Sequence, residues 1–456
     1  MKYKSYIKYF LIFSIILISL FPAYNFYQYS KKYDFQKSFN TDTIEKYLNY
    51  LVYKLINRSL VQEQVIAGND GFLFLGNKYD SVLHKTNGVY RPSQEEIQIW
   101  ANKLKDLQNW YESRGIKFVI VIAPNKHSIY REKLPSWMGY EGKTITDDII
   151  EESNLKDINL LDLRSVLLSN KNKEETLLYN KQGSHWNTKG AAIGFDATMN
   201  KLSSIYNINL IKPVYEFLDY QTDNDSMWLF LKIKDLLEKV DYDNEYKLKI
   251  NNEIMCHGNI NLDNSKMEKC IDENNPIMSI NGQPQYVINY NSLNNYKLLL
   301  LCDSFATSNS QLFNSSFKTV WKWHLGHING LKLASFVDEN KPDIVIYQIV
   351  ERGLYNYDIL KKLTTPSNKE SIPENITDLN WQKGIMIGSN NIFVVTEENY
   401  SSSQMKIGYS LLFNSGERKI IDIKQNGSYF NITVDGEKLD PVKDGYPNKI
   451  KLVGNK

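Results

Sequence analysis

Apolar positions along the chain fall into segments of distinct period. First comes an apolar run from Tyr9 to about Tyr27, preceded by Lys2, Lys4 and Lys8. A bilayer takes ~20 such residues, and basic residues before the run keep the amino terminus in the cytoplasm. Pro22-Ala23-Tyr24 is a poor small-x-small cleavage site. Residues 1–28 therefore read as an uncleaved signal-anchor rather than a removed signal peptide. In the polar stretch 29–60, Ile44, Leu48, Leu51, Val52 and Ile56 recur at helical spacing, which predicts a stalk or leading helix. Two apolar runs about Asp70-Gly71, within Val65–Leu75, predict a hairpin. Over 92–112, Ser93 as N-cap precedes Ile97, Trp100, Leu104, Leu107 and Trp110, the pattern of an amphipathic helix.

The period then shifts to buried strands. Lys117–Ala123, Leu298–Asp303 and Asp343–Val350 are near-continuous apolar runs, with a shorter one at Ile158–Leu163. Such runs suit strands covered on both faces. Helical stretches lie between them, among them the one that follows Asn187-Thr188-Lys189-Gly190. The alternation predicts a parallel, doubly wound α/β sheet, with ligands bound at the carboxyl ends of its strands. Residues 213–296, rich in Asp, Asn and Lys, read as an insertion or lid within a unit spanning 61–365. Pro366-Ser367-Asn368 and Pro373 mark a linker. Beyond it, 378–456 carries short strands separated by Asn414-Ser415-Gly416, Asn426-Gly427 and Asp435-Gly436, the pattern of a small all-β sandwich or barrel.

Bulk composition narrows the function classes. The 456 residues suffice for two or three domains, and 42% hydrophobic with 23% charged residues is ordinary for a globular chain. A net charge of +2 gives no field for nucleic acid. Aromatic residues, at 13%, suit either large cores or sugar-facing platforms. Of three cysteines, Cys302 lies in an apolar strand; Cys256 and Cys270 pair or stay free as equal alternatives in an oxidising compartment.

Candidate chemistry sits at the strand ends. Ser304 follows the strand at 298–303 and precedes small polar residues that suit a helix start. A hydroxyl there lies near backbone N–H groups able to hold an oxyanion. Taken alone, the stretch reads first as a strand closed by a capping serine; a partner histidine turns it into a nucleophile. His185 in Gly183-Ser184-His185-Trp186 is that candidate. Lys126, at the end of the 117–123 strand, is an anionic-sugar ligand or simply solvated. Trp186 stacks on a sugar or packs in a core. Arg352, beside Glu351, reads mainly as electrostatic support. Lys126, Trp186 and Arg352 form the candidate substrate-binding set. His324 and His327 have metal-compatible spacing but no third ligand, so no metal is expected. In the C-terminal segment, Trp381, Tyr429 and Tyr446 are candidate glycan contacts, with an inert packing module the equal alternative.

Several of these motifs occur in a fixed order: Gly68–Leu75, Ala123-Pro124-Asn125-Lys126 with Tyr130 and Pro135, Ser184-His185-Trp186 with Gly190-Ala191, Asp303-Ser304-Phe305, and Glu351-Arg352. Together, over roughly 60–360, they resemble the alginate O-acetyltransferase family, the SGNH-hydrolase-like proteins of the AlgX and AlgJ type. The resemblance implies an SGNH-hydrolase-like fold and an extracytoplasmic enzyme that O-acetylates a cell-surface or secreted polysaccharide. It implies Ser304 as nucleophile and His185 as base, with no cofactor. It further implies a membrane-bound acyltransferase as acetyl donor, and the N-terminal helix as a single-pass anchor in the cytoplasmic membrane. The family usually carries an aspartate two residues before the histidine, where this chain has Gly183. Asp303, adjacent to the serine, and Glu351, ending a nearby strand, are the carboxylates that could stand in, and neither has the spacing of the family's aspartate. The alternatives are a carbohydrate acetylesterase, with water as acceptor, and a catalytically inactive glycan-binding or assembly subunit, which Gly183 favours.

Overall fold

A computed structural model describes residues 2–29, 40–90, 92–138, 142–171, 177–222, 226–233, 236–237, 243–250, 254–261, 266–278, 283–328 and 330–355. Beyond these it describes 376–378, 383–387, 391–395, 410–413, 416–426, 429–436 and 449–451. The chain divides into two compact units, Met1–Thr365 and Pro366–Lys456.

The first unit opens with helices α1 (Lys2–Tyr29) and α2 (Asp42–Ile56), and α1 holds a 20-residue stretch, Tyr6–Asn25, long and apolar enough to cross a membrane. Strands β1 (Val65–Ala67) and β2 (Leu73–Leu75) form the hairpin. Asp70 and Gly71 turn it with φ of 55° and 76°, a left-handed pair that asparagine-like and glycine residues tolerate. Then come α3 (Val82–Thr86), α4 (Gln94–Glu112), β3 (Lys117–Ala123), α5 (Lys126–Ile129), α6 (Ile145–Leu155), β4 (Leu160–Asp162), α7 (Leu163–Lys171) and α8 (Thr188–Tyr206). Ser93 and Glu96 form a reciprocal capping box at the start of α4. Next are β5 (Tyr215–Thr222), α9 (Ser226–Leu231), β6 (Asp243–Ile250), β7 (Ile254–Asn259), β8 (Ile271–Asn274) and β9 (Gln285–Ile288). The unit closes with β10 (Asn294–Cys302), α10 (Ser310–Ser316), β11 (Phe317–His324), α11 (Gly330–Asn340) and β12 (Ile344–Val350).

The main sheet has the order β4-β3-β12-β10-β11-β9-β7-β8. Its first five strands pair in parallel and its last three antiparallel. This is the SGNH-like α/β fold. Alternate side chains feed two cores. Val119, Val121, Leu298, Leu300 and Ile346 pack with Leu163, Phe195 and Phe313 on the face covered by α7, α8 and α10. Phe118, Ile120, Leu299, Leu301 and Tyr347 pack with Trp100, Leu104, Ile149 and Phe336 on the face covered by α4, α6 and α11. That double covering is why the leucine run of β10 shows no polar alternation.

Residues 213–296 differ from a simple lid. Strands β9, β7 and β8 extend the main sheet, while β5 and β6 form a separate hairpin. Their apolar alternation is short, as in Met255 and Val287, and polar turns mask it. Cys256 in β7 and Cys270, just before β8, are joined in a disulfide with Cα atoms 5.4 Å apart. Among its described residues the second unit is all β: β13 (Ile376–Asp378), β14 (Lys383–Ile387), β15 (Asn391–Val395), β16 (Ser410–Phe413), β17 (Gly416–Asn426), β18 (Tyr429–Val434) and β19 (Lys449–Lys451). They form one antiparallel seven-stranded sheet, and Leu411, Ile420, Ile432 and Val434 are buried. The linker prolines, Trp381, Tyr446 and the side chain of Tyr429 lie outside the described residues.

Replacing both Cys256 and Cys270 by serine removes a constraint on a loop with sequence separation 14. Loops of that size are held at about 3 kcal/mol. A fall in thermal midpoint that reductant reproduces in the native chain, and does not add to in the double variant, is the expected outcome.

Candidate active site

Register alone brings three strand ends to one edge. Val350 pairs with Ala123 across β12 and β3, and Gln348 with Cys302 across β12 and β10. Residues 124–126, 303–304 and 351–352 therefore leave the sheet side by side, at the carboxyl edge where such sheets bind ligands. Asp303 fixes the first turn after β10. Its Oδ1 accepts the Phe305 N–H at 2.9 Å and its Oδ2 accepts the Val350 N–H at 2.5 Å. Both carboxylate oxygens are engaged, so Asp303 caps the turn that carries Ser304 and faces backbone rather than the histidine. Burial pushes its carboxyl above the ordinary range, against the pull of those two N–H groups.

The histidine arrives on a closed loop. Tyr179 and Trp186 form an isolated bridge, and the Asn187 N–H donates to the Leu178 carbonyl at 3.0 Å. Asn187 then caps α8, its Oδ1 accepting the Gly190 N–H at 3.0 Å. A Cβ at Gly190 would stand 2.4 Å from the Leu178 carbonyl oxygen, so only glycine lets α8 start this close to the loop. Inside the loop, Lys126 donates its ammonium to the carbonyls of Asn180, Lys181 and Gly183, at 2.9, 2.8 and 2.6 Å. Lys126 is 2% exposed. Its charge is committed to loop backbone, which corrects its reading as a ligand for anionic sugar.

Trp186 is 1% exposed, and its Nε1 donates to the Phe305 carbonyl at 2.9 Å. Buried edge-to-face on Phe305, with ring centroids 5.3 Å apart, it has no face to offer a sugar. It ties the histidine loop to the nucleophile turn instead. His185, its neighbour, lies with Nε2 2.6 Å from Ser304 Oγ. Both residues are half-buried and reach solvent. The other ring nitrogen, Nδ1, lies 3.0 Å from Ser184 Oγ. That hydroxyl stands where an orienting carboxylate would be expected; as an ordinary serine beside the histidine, it carried no signal in the sequence.

Glu351 does not face the histidine either. Its Oε2 accepts the Asn125 N–H at 2.9 Å and the Ser128 hydroxyl at 2.6 Å, and its Oε1 lies 3.7 Å from Arg164. Glu351 thus pairs with Arg164, not with its neighbour Arg352, and burial raises its carboxyl. The guanidinium of Arg352 donates from Nη1 to Asn125 Oδ1 at 3.1 Å and sits 5.8 Å from the Phe305 ring centre. The Asn125 Nδ2 is buried with no hydrogen-bond partner among the described residues, and so is the Nε of Arg352. The edge thus holds a hydroxyl, an imidazole, the unpartnered Nδ2 of Asn125 and the Arg352 guanidinium, whose Nε lies 3.9 Å from Asp80 Oδ2. His324, one of the metal candidates, accepts the Gly326 N–H at 3.1 Å on its Nδ1 as a local cap.

Burial lowers the His185 imidazole to about 4, and the cations of Arg352 and Lys126 push in the same direction. The ring is therefore neutral at pH 7. A neutral imidazole has one donor and one acceptor. The tautomer with Nδ1–H directed at Ser184 leaves the Nε2 lone pair facing Ser304.

Residues 65–213 match the family model of the SGNH hydrolase-like domain, acetyltransferase AlgX. Among solved structures, the chain is similar to Bacillus cereus PatB1 at 17% identity and TM-score 0.45, over 64% of this chain and 96% of that one. A DHHW family protein from Eubacterium siraeum is similar at 12% identity and TM-score 0.48, over 68% and 97%. Pseudomonas aeruginosa AlgX is similar at 14% identity and TM-score 0.38, over 86% and 91%. No curated protein matches the chain.

Two outcomes follow from this geometry. By imidazole NMR, His185 titrates near 4 rather than near its ordinary 6.5. Between those values the unfolded chain binds a proton that the folded chain does not. This group's contribution to stability is therefore complete above 6.5 and falls away on acidification towards 4. Lys126→Met leaves three loop carbonyls without their donor, and hydrogen bonds to charged groups contribute about 1.5–3 kcal/mol each. A thermal unfolding scan of that variant should show a loss of about 3 kcal/mol or more; an unchanged midpoint would return Lys126 to the substrate-binding set.

Proposed function

We propose that the protein is an extracytoplasmic O-acetyltransferase that moves acetyl groups onto a cell-surface or secreted polysaccharide through an acetyl-serine at Ser304. The observation that carries this reading is the 2.6 Å approach of His185 Nε2 to Ser304 Oγ at the ligand-binding edge of the sheet. The family model over 65–213 supports acetyl transfer as the chemistry. In this reading α1 is a single-pass anchor in the cytoplasmic membrane and residues 61–365 are the catalytic domain. The strands within 378–456 are a candidate carbohydrate-binding module. Acetyl-CoA is cytoplasmic, so the acetyl donor is a membrane-bound acyltransferase.

The steps run as two acyl transfers. The Nε2 of His185 takes the Ser304 proton as Oγ bonds the acetyl carbonyl carbon. The donor's leaving group departs with that proton and leaves acetyl-Ser304. A sugar hydroxyl then gives its proton to Nε2 and its oxygen to the carbonyl carbon, the Oγ–carbon bond breaks, and Ser304 is reprotonated. Ser184 holds the productive tautomer through Nδ1 in place of a carboxylate. The Asn125 Nδ2, polarised by Arg352 on its Oδ1, is the side-chain donor for the carbonyl oxygen as it becomes an oxyanion. Without a carboxylate the imidazolium formed in each step is less stabilised, and removing that acid from a serine protease costs ~10⁴ in rate. A slow base with a low pKa suits a chain that receives its acetyl group already activated.

The full chain in detergent, given p-nitrophenyl acetate with and without an oligosaccharide, tests the reading. Mass spectrometry should find acetyl on Ser304, and on the sugar when the sugar is present. Acetate released equally with or without sugar would make it an esterase. No adduct at all would leave a glycan-binding subunit. Ser304→Ala and His185→Ala abolish the adduct in the native fold. Asn125→Ala lowers kcat by about 10²–10³, the scale of losing one oxyanion donor. The acid limb of kcat/KM lies near 4, with activity rising as pH increases through it.

A further inference from the structure

Helix α2 is turned the wrong way round for a surface helix of a globular domain. Its polar side meets the protein: Asn49 is 4% exposed, and Tyr50 and Tyr53 pack against the core. Lys232, just after α9, pairs with Asp42 and Glu45 at the first turn. The apolar side faces away. Ile44, Tyr47, Leu48, Leu51 and Leu55 recur at intervals of three and four, so they form one stripe. They are 43%, 53%, 47%, 49% and 76% exposed. No charged residue interrupts the stripe. The last residue of α2, Ile56, is also apolar and lines one cavity with Trp137; the two are 61% and 55% exposed.

An uncovered apolar strip of this length marks an interaction surface, and the chain's own connectivity says which. The apolar stretch of α1 ends at Asn25. The Nδ2 of Asn25 donates to the Asn40 carbonyl at 2.8 Å, and Asn40 Oδ1 accepts the Asp42 N–H at 2.6 Å. The first turn of α2 is thus pinned to the end of the apolar span. Where α1 crosses a bilayer, α2 starts at the headgroup level. Tyrosine and tryptophan favour that level, as do Tyr47 within the stripe and the exposed Trp137. A second copy is the weaker occupant, because 15 residues give only two heptads and sustained coiled coils take about three or more.

We infer that α2 lies in the plane of the outer membrane–water interface, its apolar stripe in the acyl boundary and its polar side carrying the catalytic unit. The inference rests on the proposed anchoring by α1 and goes beyond it: the catalytic unit is seated on the lipid, not merely tethered to it.

The full chain, reconstituted into phosphatidylethanolamine–phosphatidylglycerol vesicles, tests this with nitroxide labels at Leu51→Cys and Leu55→Cys, and at Glu95→Cys on α4 as reference. With each label carried singly, collision with oxygen at 51 and 55 should exceed collision with a water-soluble nickel chelate, with the reverse at 95. Chelate-accessible labels at 51 and 55 would overturn the inference, as would dipolar broadening in a singly labelled chain, which reports a second copy. The unlabelled chain gives a second readout: brominated acyl chains should quench the fluorescence that Trp137→Phe removes, and the absence of quenching counts against the inference. Extraction of the chain by alkaline carbonate defeats the anchor itself, whereas a carbonate-resistant chain with water-exposed labels defeats only the seating of α2.

Discussion

One buried ammonium organises the candidate site. Three carbonyls of a single loop converge on the Nζ of Lys126. A buried cation is tolerated only when its donors are met, and here backbone oxygens meet them. The loop so gathered carries His185 on one limb, while Trp186 ties the same limb to the turn that carries Ser304. The imidazole is therefore located by backbone and indole contacts on either side, not by a carboxylate behind it. Tyr179 adds a third fastening, its hydroxyl donating to the Pro124 carbonyl at 2.7 Å.

The fold was legible where burial is two-sided. The apolar runs of β3, β10 and β12, and the stripe and capping box of α4, announce themselves because packing on both faces, or along one stripe, demands continuous or periodic apolar residues. Strand β9 was visible as the apolar run Tyr286–Tyr290, but strands β7 and β8 were hidden. They are short, and all four residues of β8 are exposed, so nothing in their pattern asks for a sheet. Within the site, Ser304 and His185 could be paired from sequence by the order of motifs, and the structure brings them together. The roles of Lys126 and Trp186 could not. A lysine at a strand end reads the same whether its charge meets solvent, sugar or backbone, and only the loop's three-dimensional path decides. Ser184 was visible as part of a motif, but its contact with the histidine was not, because that depends on which ring nitrogen it faces.

The chemistry of the edge follows from low polarity combined with positive charge. Burial, Arg352 and Lys126 all disfavour a proton on His185. The same surroundings favour an anion, because Arg352 brings a positive charge and the Nδ2 of Asn125 has no hydrogen-bond partner among the described residues. A site with those preferences binds a developing oxyanion better than it binds a cation. In the proposed reaction His185 is a base always ready but weak, and the rate rests on how well negative charge is received.

Strand β8 has a consequence for where the molecule can be completed. It buries no side chain, and apart from backbone pairing with β7 and the His257–Glu273 contact it is fastened by the sulfur bridge beside it. Thiols in the reducing cytoplasm stay apart. A copy detained there would keep a loosely held border strand, an invitation to pairing with other chains. Export thus doubles as the last stitch in the sheet's hem.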